Sequence, residues 1–214
     1  MAVAPVNKFI TIAVPVAPGE QTVYSTPTGV SAIVLLAQVA NVGISTYPSI
    51  TFTHRRKTNK TGYIRNIRVL KETEIPPNDN LKIIDGRLVL ERTSLISDSI
   101  VIVGVQSGIT SITNCLYDFN TGITTVTTLT NHNFSEGSQI TMSGLAFTCS
   151  GSTGVTTTIF PSPQSAFTVT GVIGLTTFVT NTGPIGFAHT YISGGLVGPL
   201  QMEFICSILE NSIS

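Results

Sequence analysis

Two apolar runs decide the fold of this chain: SDSIVIVGVQ (97–106) and LQMEFICSILE (200–210). Both are typical of β-strands, since they are short, apolar and rich in β-branched residues. No obvious partner follows the first run directly, and the second is its natural antiparallel partner in composition. We therefore predict that Ile100–Val105 and Phe204–Leu209 pair as a hairpin and that the residues between them are an insertion. Hairpin tips tolerate insertions because their backbone makes few buried hydrogen bonds.

The distribution of charge divides the chain at the same places. Residues 1–92 contain all eleven Lys and Arg, whereas residues 108–199 contain none, and their only acids are Asp118 and Glu136. Such shifts in composition mark domain boundaries. We predict a β-sandwich-like assembly domain formed by 1–107 with 200–214, and a small Thr/Ser/Gly-rich β-domain inserted at 108–199.

The composition predicts an all-β protein. Only 10% of the residues are charged, against about 25% in typical soluble domains. Thr and Val suit a pleated surface and Gly supplies turns, and no segment has helical periodicity. Turn residues predict hairpins at TNKTG (58–62), Asp85-Gly86 and Asn120-Thr121-Gly122, and a loop at GSTGVTTTIFPSPQ (151–164).

The insert is expected to have an apolar core. In NFSEGSQITMSGLAFT, which starts at Asn133, we expect Ile140, Met142 and Phe147 to be buried and Gly137 to take a positive φ in a turn. A neutral, weakly charged monomer is poorly protected against self-association, so the composition also favours a chain that sits in an assembly. The start of the chain lacks the basic region of a secretory signal, and no apolar run is long enough for a membrane span. We therefore expect synthesis in a cytoplasm and no membrane partner.

Catalytic and metal-binding patterns are weak. Cys115, Cys149 and Cys206 are odd in number and widely spaced, so we expect reduced, buried thiols. His132 and His189 with Cys149 match no zinc spacing; we expect instead that the histidine rings bond to turn backbone. No paired carboxylates, nucleophile elbow or phosphate loop is present, which predicts no enzyme, cofactor or metal.

One basic stretch is a candidate site. HRRKTNKTGYIRNIRVLK (54–71) contains no acid and carries the following cations: Arg55, Arg56, Lys57, Lys60, Arg65, Arg68 and Lys71. Arginines can pair with carboxylates of a neighbouring subunit, and cations can contact DNA phosphates. A solvated hairpin whose charges protect an edge strand is the third alternative. Only Tyr63 interleaves with the cations, which argues against base stacking, and we do not expect direct contact with DNA.

Several segments of the insert carry a family resemblance. YDFNTGITTVTTLTNHNFSEGSQITMSGLAFTCS (117–150), TTTIFPSPQSAFTVTGVIGLTTFVTN (156–181) and AHTYISGG (188–195) resemble a β-domain that recurs in virion proteins of marine tailed bacteriophages, especially cyanophages. The resemblance covers about residues 112–195. In the first domain, TVYSTPTGVSAIVLLAQVANV (22–42), GRLVLERTSLISDSIVIVG (86–104) and MEFICSILE (202–210) resemble a small phage structural module, from which the loop RTSLISDS departs.

The resemblance implies a virion structural protein that is assembled in the host cytoplasm and contacts other virion proteins and further copies of itself. We expect a tail, neck or baseplate component that docks through the basic stretch. A capsid decoration protein on the head shell is the alternative. A receptor- or glycan-binding adhesin is a second alternative, although the insert has no Trp and only Tyr117 and Tyr191 to stack on sugars.

Overall fold

The structure, a computed structural model, describes residues 7–151, 154–162 and 164–212. All regular secondary structure in these ranges is β, which confirms the predicted fold class. The strands in chain order are β1 (Asn7–Pro15), β2 (Gly19–Ser25), β3 (Val30–Asn41), β4 (Ser49–Thr58), β5 (Ile64–Glu74), β6 (Asn80–Glu91), β7 (Ile96–Val105), β8 (Thr110–Tyr117), β9 (Ile123–Thr128), β10 (Gln139–Ser143), β11 (Ala146–Gly151), β12 (Gly154–Ile159), β13 (Ala166–Val172), β14 (Thr177–Asn181), β15 (Ala188–Ser193), β16 (Leu196–Pro199) and β17 (Met202–Ser212).

The chain divides into two compact units. Unit one comprises the described parts of Met1–Val16, Glu20–Val105 and Gln201–Ser214, and unit two comprises Ala17–Gly19 and Gln106–Leu200. The boundaries expected from the sequence lie within two residues of the main breaks. They differ from the structure in the short segment Ala17–Gly19, which belongs to unit two and which no shift in composition marks.

Unit one contains two four-stranded sheets with the orders β1-β17-β3-β6 and β2-β7-β4-β5. Successive strands of the chain alternate between these sheets except at β4 and β5, which are neighbours. If the eight strands are numbered in chain order with β17 as the eighth, the orders are 1-8-3-6 and 2-7-4-5. This is the strand arrangement of a jelly roll, a double sheet of two Greek keys.

A single apolar core lies between the two sheets of unit one. Side chains of both sheets contribute to it, and the rings of Phe52 on β4 and Phe204 on β17 approach to 6.1 Å between centroids. The alternation of side chains along a strand explains which residues of β17 enter the core: Phe204, Cys206 and Ile208 are buried, and the residues between them are more exposed.

The predicted hairpin between Ile100–Val105 and Phe204–Leu209 is wrong. β7 pairs with β4, and β17 pairs antiparallel with β1 and β3 in the opposite sheet. Both runs are apolar because both contribute to the core, and similarity in composition does not distinguish a hydrogen-bonded neighbour from a strand across the core. The insert therefore lies in a connection between two sheets and not at the tip of a hairpin.

The other hairpin predictions had mixed outcomes. β4 and β5 form the expected hairpin at TNKTG, and β8 and β9 form the one at Asn120-Thr121-Gly122. Asp85-Gly86 is not a turn: β6 runs through it, Gly86 has φ 154°, and the register with β3 shifts at this point. Gly86 thus accommodates an irregularity within a continuous strand, where an Asp-Gly pair without structural context predicts a turn.

Unit two is built around a closed six-stranded barrel with the order β10-β13-β14-β9-β8-β16, beside a three-stranded sheet β12-β11-β15. Ile140, Met142 and Phe147 are fully buried in its core, as expected. Gly137 has φ 86°, which confirms the turn. The loop expected at 151–164 was wrong in part, because β12 lies within it; residues 152, 153 and 163 are outside the described residues.

Candidate functional site

The seven cations of the predicted docking site lie on the hairpin of β4 and β5, at one end of the sheet β2-β7-β4-β5. The structure separates them into two groups. Arg55 and Arg56 on β4 are held in ion pairs within unit one, whereas the other five are exposed. We call these five, which are Lys57, Lys60, Arg65, Arg68 and Lys71, the basic edge.

Arg55 forms a bidentate pair with Glu20 on β2. Its two terminal nitrogens donate to the two carboxylate oxygens at 2.7 and 2.6 Å, and its Nε donates to Asn66 Oδ1 at 2.9 Å. The hydrogen bonds from Arg55 lower the pKa of Glu20, more than burial raises it. The guanidinium is therefore already matched by an acid from its own unit.

Arg56 forms a second bidentate pair, with Asp98 on β7. Both hydrogen bonds measure 2.7 Å, and Glu91 Oε2 lies 3.6 Å from the same guanidinium. The Asp98 carboxylate has no exposed surface; it also accepts from the Glu91 amide at 3.0 Å and lies 3.2 Å from His54 Nε2. Burial raises the pKa of Asp98, but these donors outweigh burial and hold that pKa below its ordinary value.

No local feature of the sequence indicates these acids. The stretch 54–71 contains no carboxylate, and the partners come from β2, β6 and β7, up to 42 residues away along the chain. Only the strand order places Glu20, Glu91 and Asp98 beside the hairpin. Arg55 and Arg56 are therefore paired with acids of unit one, and the exposed, mostly unpaired part of the predicted docking site is the basic edge.

The basic edge is accompanied by exposed apolar side chains. Tyr63 is 66% exposed, and Ile64, Ile67 and Val69 on β5 are 48%, 40% and 42% exposed. Among the residues that the structure describes, the only carboxylate within 4.0 Å of a basic-edge cation is Glu72, 3.7 Å from Lys71. An exposed strand that combines four cations without a nearby acid and apolar side chains has the composition of a docking surface.

The two histidines of unit two bond to the backbone. His132 Nδ1 accepts from the Phe134 amide at 2.9 Å and Nε2 lies 3.1 Å from the Gly174 carbonyl, which is the backbone bonding that we expected. His189 Nδ1 lies 2.9 Å from the Phe187 carbonyl. In the described ranges no three His, Cys, Asp or Glu side chains are grouped to hold a metal. The three cysteines are free and buried, as expected.

A groove on unit two brings its two tyrosines together, which the sequence did not predict. The groove has a volume of about 350 Å³ and is lined by Tyr117 on β8 and by His189 and Tyr191 on β15, with the rings of Tyr117 and His189 5.7 Å apart. The Tyr117 hydroxyl donates to the Gly183 carbonyl at 2.7 Å and the Tyr191 hydroxyl to the Gly194 carbonyl at 2.8 Å. These bonds fix both rings at the wall of the groove. The described part of the chain contains no helix of the length and apolarity that a bilayer crossing needs.

Comparisons with known proteins assign no family. No protein-family model matches the chain, and no curated protein matches it. Among solved structures, the VP2 subviral particle of infectious bursal disease virus is similar at 8% identity with a TM-score of 0.30, covering 98% of this chain and 41% of that one. The chain thus spans about two fifths of the length of that protein.

Two further solved structures show a comparable likeness. The stem and receptor binding domain of the spike protein P1 from bacteriophage PM2 has 8% identity and a TM-score of 0.24, covering 99% of both chains. The tandem CBM22 domains of Paenibacillus barcinonensis Xyn10C have 9% identity and a TM-score of 0.23, covering 87% of this chain and 80% of that one. The chain is thus similar to viral structural proteins and to a CBM22 pair, at scores too low to assign a function.

Proposed function

We propose that this chain is a non-enzymatic structural component of a tailed-phage virion, in the tail, neck or baseplate, and that it docks on neighbouring subunits through the basic edge. The observation that carries the proposal is the jelly-roll strand order of unit one. Jelly rolls serve as capsid domains and as lectin domains. The resemblance of the insert to phage virion β-domains supports the same role.

The surface chemistry supports assembly. Unit two has no Lys or Arg between Gln106 and Leu200, and it exposes apolar side chains such as Leu116, Ile173 and Leu175. A surface with few charges is poorly protected against association in solution. In a particle the same surface packs against other subunits, including further copies of this chain.

Quantitative mass spectrometry of purified particles tests the role and the location together. Tens of copies per particle are expected for a tail, neck or baseplate component, whereas hundreds would indicate the alternative, a decoration protein on the head shell. Absence of the chain from particles that contain all other virion proteins would contradict a structural role.

Charge reversal tests the docking surface. The variant Lys57→Glu/Arg65→Glu/Arg68→Glu should be incorporated into particles at least about tenfold less, because like charges across an interface cost several kcal/mol and about 1.4 kcal/mol is a factor of ten. The matched control reverses Lys8, Lys82 and Arg87, three cations elsewhere in unit one. Normal incorporation of the first variant would contradict docking through the basic edge.

The groove of unit two favours a second candidate function, binding of a host-surface glycan. Tyr117 and Tyr191 are the only tyrosines of the insert, and both lie in this groove with the exposed residues Asp118 and Thr190. Aromatic faces with adjacent hydroxyl and carboxylate groups suit sugars. A glycan array probed with wild type and with Tyr117→Ala/Tyr191→Ala tests it, and equal signals from both would exclude this groove.

A further inference from the structure

The basic edge is also the open edge of a sheet. β5 hydrogen-bonds to β4 on one side and ends the order β2-β7-β4-β5 on the other. An unpaired strand edge presents backbone donors and acceptors and can accept another strand. We propose that β5 binds an extended acidic segment of another virion protein by strand addition. This inference rests on the proposed docking function and names the partner that the surface accepts.

The register identifies the backbone groups that face outward. The Thr58 amide donates to the Tyr63 carbonyl at 2.8 Å, so these two residues form a hydrogen-bonded pair. Hydrogen-bonded and non-bonded pairs alternate along an antiparallel ladder. The register from Lys57↔Ile64 to Thr53↔Arg68 is regular, so the backbone groups of Ile64, Asn66 and Arg68 point away from β4.

The open edge of β5 spans several residues, and no strand of the described residues pairs with it. From Ile64 to Arg68 the three outward-facing residues each offer one N–H and one C=O, over about 17 Å of strand. The ladder becomes irregular beyond Arg68, where the register with β4 shifts and Glu72 has a positive φ of 47°. Strand addition is therefore limited to the segment that also carries the arginines of the basic edge.

Charge decides the chemistry of the occupant. Arg65 and Arg68 lie on opposite faces of this segment, since their positions differ by an odd number in a regular ladder. The incoming strand thus meets a cation on each face, beside the exposed Ile64 and Ile67. Acids on both faces of the incoming strand, with apolar residues between them, complement this pattern.

The other open edges of this chain do not supply such a strand. Of the remaining edge strands of unit one, β1 carries Lys8 and no acid, and the only acid of β2 is Glu20, which is paired with Arg55. β6 carries Asp85 and Glu91 together with Lys82 and Arg87, and both acids lie beside cations of unit one, since Asp85 is 3.1 Å from Lys82 and Glu91 is 3.6 Å from Arg56. In unit two, β12 and β15 contain no charged residue. Charge complementarity in the described strands therefore favours a different protein over a second copy.

Synthetic peptides and proline substitutions test strand addition on the full chain. The probe is a decapeptide with glutamates on both faces of the extended strand and valines between them, and its control carries lysine in place of glutamate. Binding is followed by NMR with amide hydrogen exchange. The glutamate peptide should bind and slow exchange at Ile64, Asn66 and Arg68 at least about fivefold, whereas the lysine peptide should not bind.

Proline at an outward-facing position removes one donor and leaves the β4 ladder intact. Ile64→Pro should weaken binding of the glutamate peptide about tenfold or more, and the matched Ile64→Ala should not. Arg68→Pro against Arg68→Ala repeats the test if Ile64→Pro alters the fold. Unchanged binding by both proline variants would overturn strand addition, as would equal binding of the lysine peptide or sedimentation showing that β5 instead mediates a dimer.

The peptide experiment tests strand addition and the particle experiment tests docking, so their outcomes distinguish the two proposals. If the charge-reversed basic edge loses incorporation but the glutamate peptide leaves the three amides unprotected, strand addition is wrong and docking stands. If incorporation of the charge-reversed variant is normal, the docking function itself is wrong, whatever the peptide does.

Discussion

Arg56 and Asp98 lie directly opposite each other on β4 and β7 and are joined by two hydrogen bonds of 2.7 Å. The same carboxylate accepts from the amide of Glu91 on β6, a strand of the other sheet. One buried acid therefore connects both sheets of the jelly roll and neutralises an arginine that the sequence alone would assign to docking.

Removal of Arg56 should destabilise unit one more than removal of an exposed cation. Arg56→Ala leaves the fully buried Asp98 carboxylate without its main partner, and breaking such a pair costs about 3 kcal/mol. We take the lower end of the usual range because the Arg56 side chain is 37% exposed. Lys57→Ala on the same strand should change the stability by less than about 0.5 kcal/mol. Urea denaturation of both variants measures this, and equal midpoints would contradict a structural role for Arg56.

Stability should fall in acid. The folded-state pKa values of Asp98 and Glu20 lie below their ordinary values of 3.8 and 4.5. Each carboxylate thus contributes stability that is fully present above its unfolded pKa and is lost as the pH falls through its folded pKa. Thermal melts between pH 6 and about 2 should show this loss below roughly pH 4.5, with a smaller slope in Asp98→Asn. An identical slope in the variant would show that Asp98 is not responsible.

Phe147 should dominate the stability of unit two. Its side chain is fully buried, and its ring packs against Phe160, His189 and Tyr191 with centroid distances of 5.6, 6.2 and 5.8 Å. Phe147→Ala should cost about 3–5 kcal/mol. The exposed Phe187→Ala is the matched control. Calorimetry should show a lower melting temperature for Phe147→Ala and not for Phe187→Ala. The melting temperature of unit two should change little between 0.05 and about 1 M NaCl, because unit two has few charges to screen.

Unit one should fold without the insert. Val105 is the last residue of β7 and Met202 is the first residue of β17, and these two strands belong to facing sheets. Facing sheets lie about 10 Å apart. A Gly/Ser linker of about four residues spans that distance, so replacing residues 107–200 with such a linker should preserve β-sheet circular dichroism and cooperative unfolding. Loss of structure with linkers of every length would mean that unit one depends on unit two.

The thiols should be unreactive in the folded chain. Burial raises the pKa of Cys115 and of Cys206 to about 12 and raises the pKa of Cys149, so little thiolate exists near neutral pH. A thiol reagent at pH 8 should modify all three only after unfolding in urea. Rapid reaction of one cysteine in the native chain would indicate local opening there.

The sequence predicted more of the local structure than of the pairing. Alternation and turn residues correctly indicated the hairpins of β4–β5 and β8–β9 and the burial of Ile140 and Met142, because these depend on neighbours along the chain. The turn predicted at Asp85-Gly86 was wrong, because the same dipeptide occurs both in turns and at irregularities inside strands. Here the pairing of β3 with β6 on both sides of Gly86 keeps the strand continuous.

By itself the sequence determined the all-β class, the insert without Lys or Arg and the cluster of cations on one hairpin, because composition and period are properties of the chain. Tertiary structure alone decided that β7 and β17 lie in opposite sheets and that Arg55 and Arg56 are neutralised while Arg65 and Arg68 are not. Those outcomes depend on which strands pair although they lie tens of residues apart along the chain. The need to bury apolar side chains does not specify the pairing, because an apolar strand is equally buried when it pairs with another apolar strand and when it packs against that strand across the core.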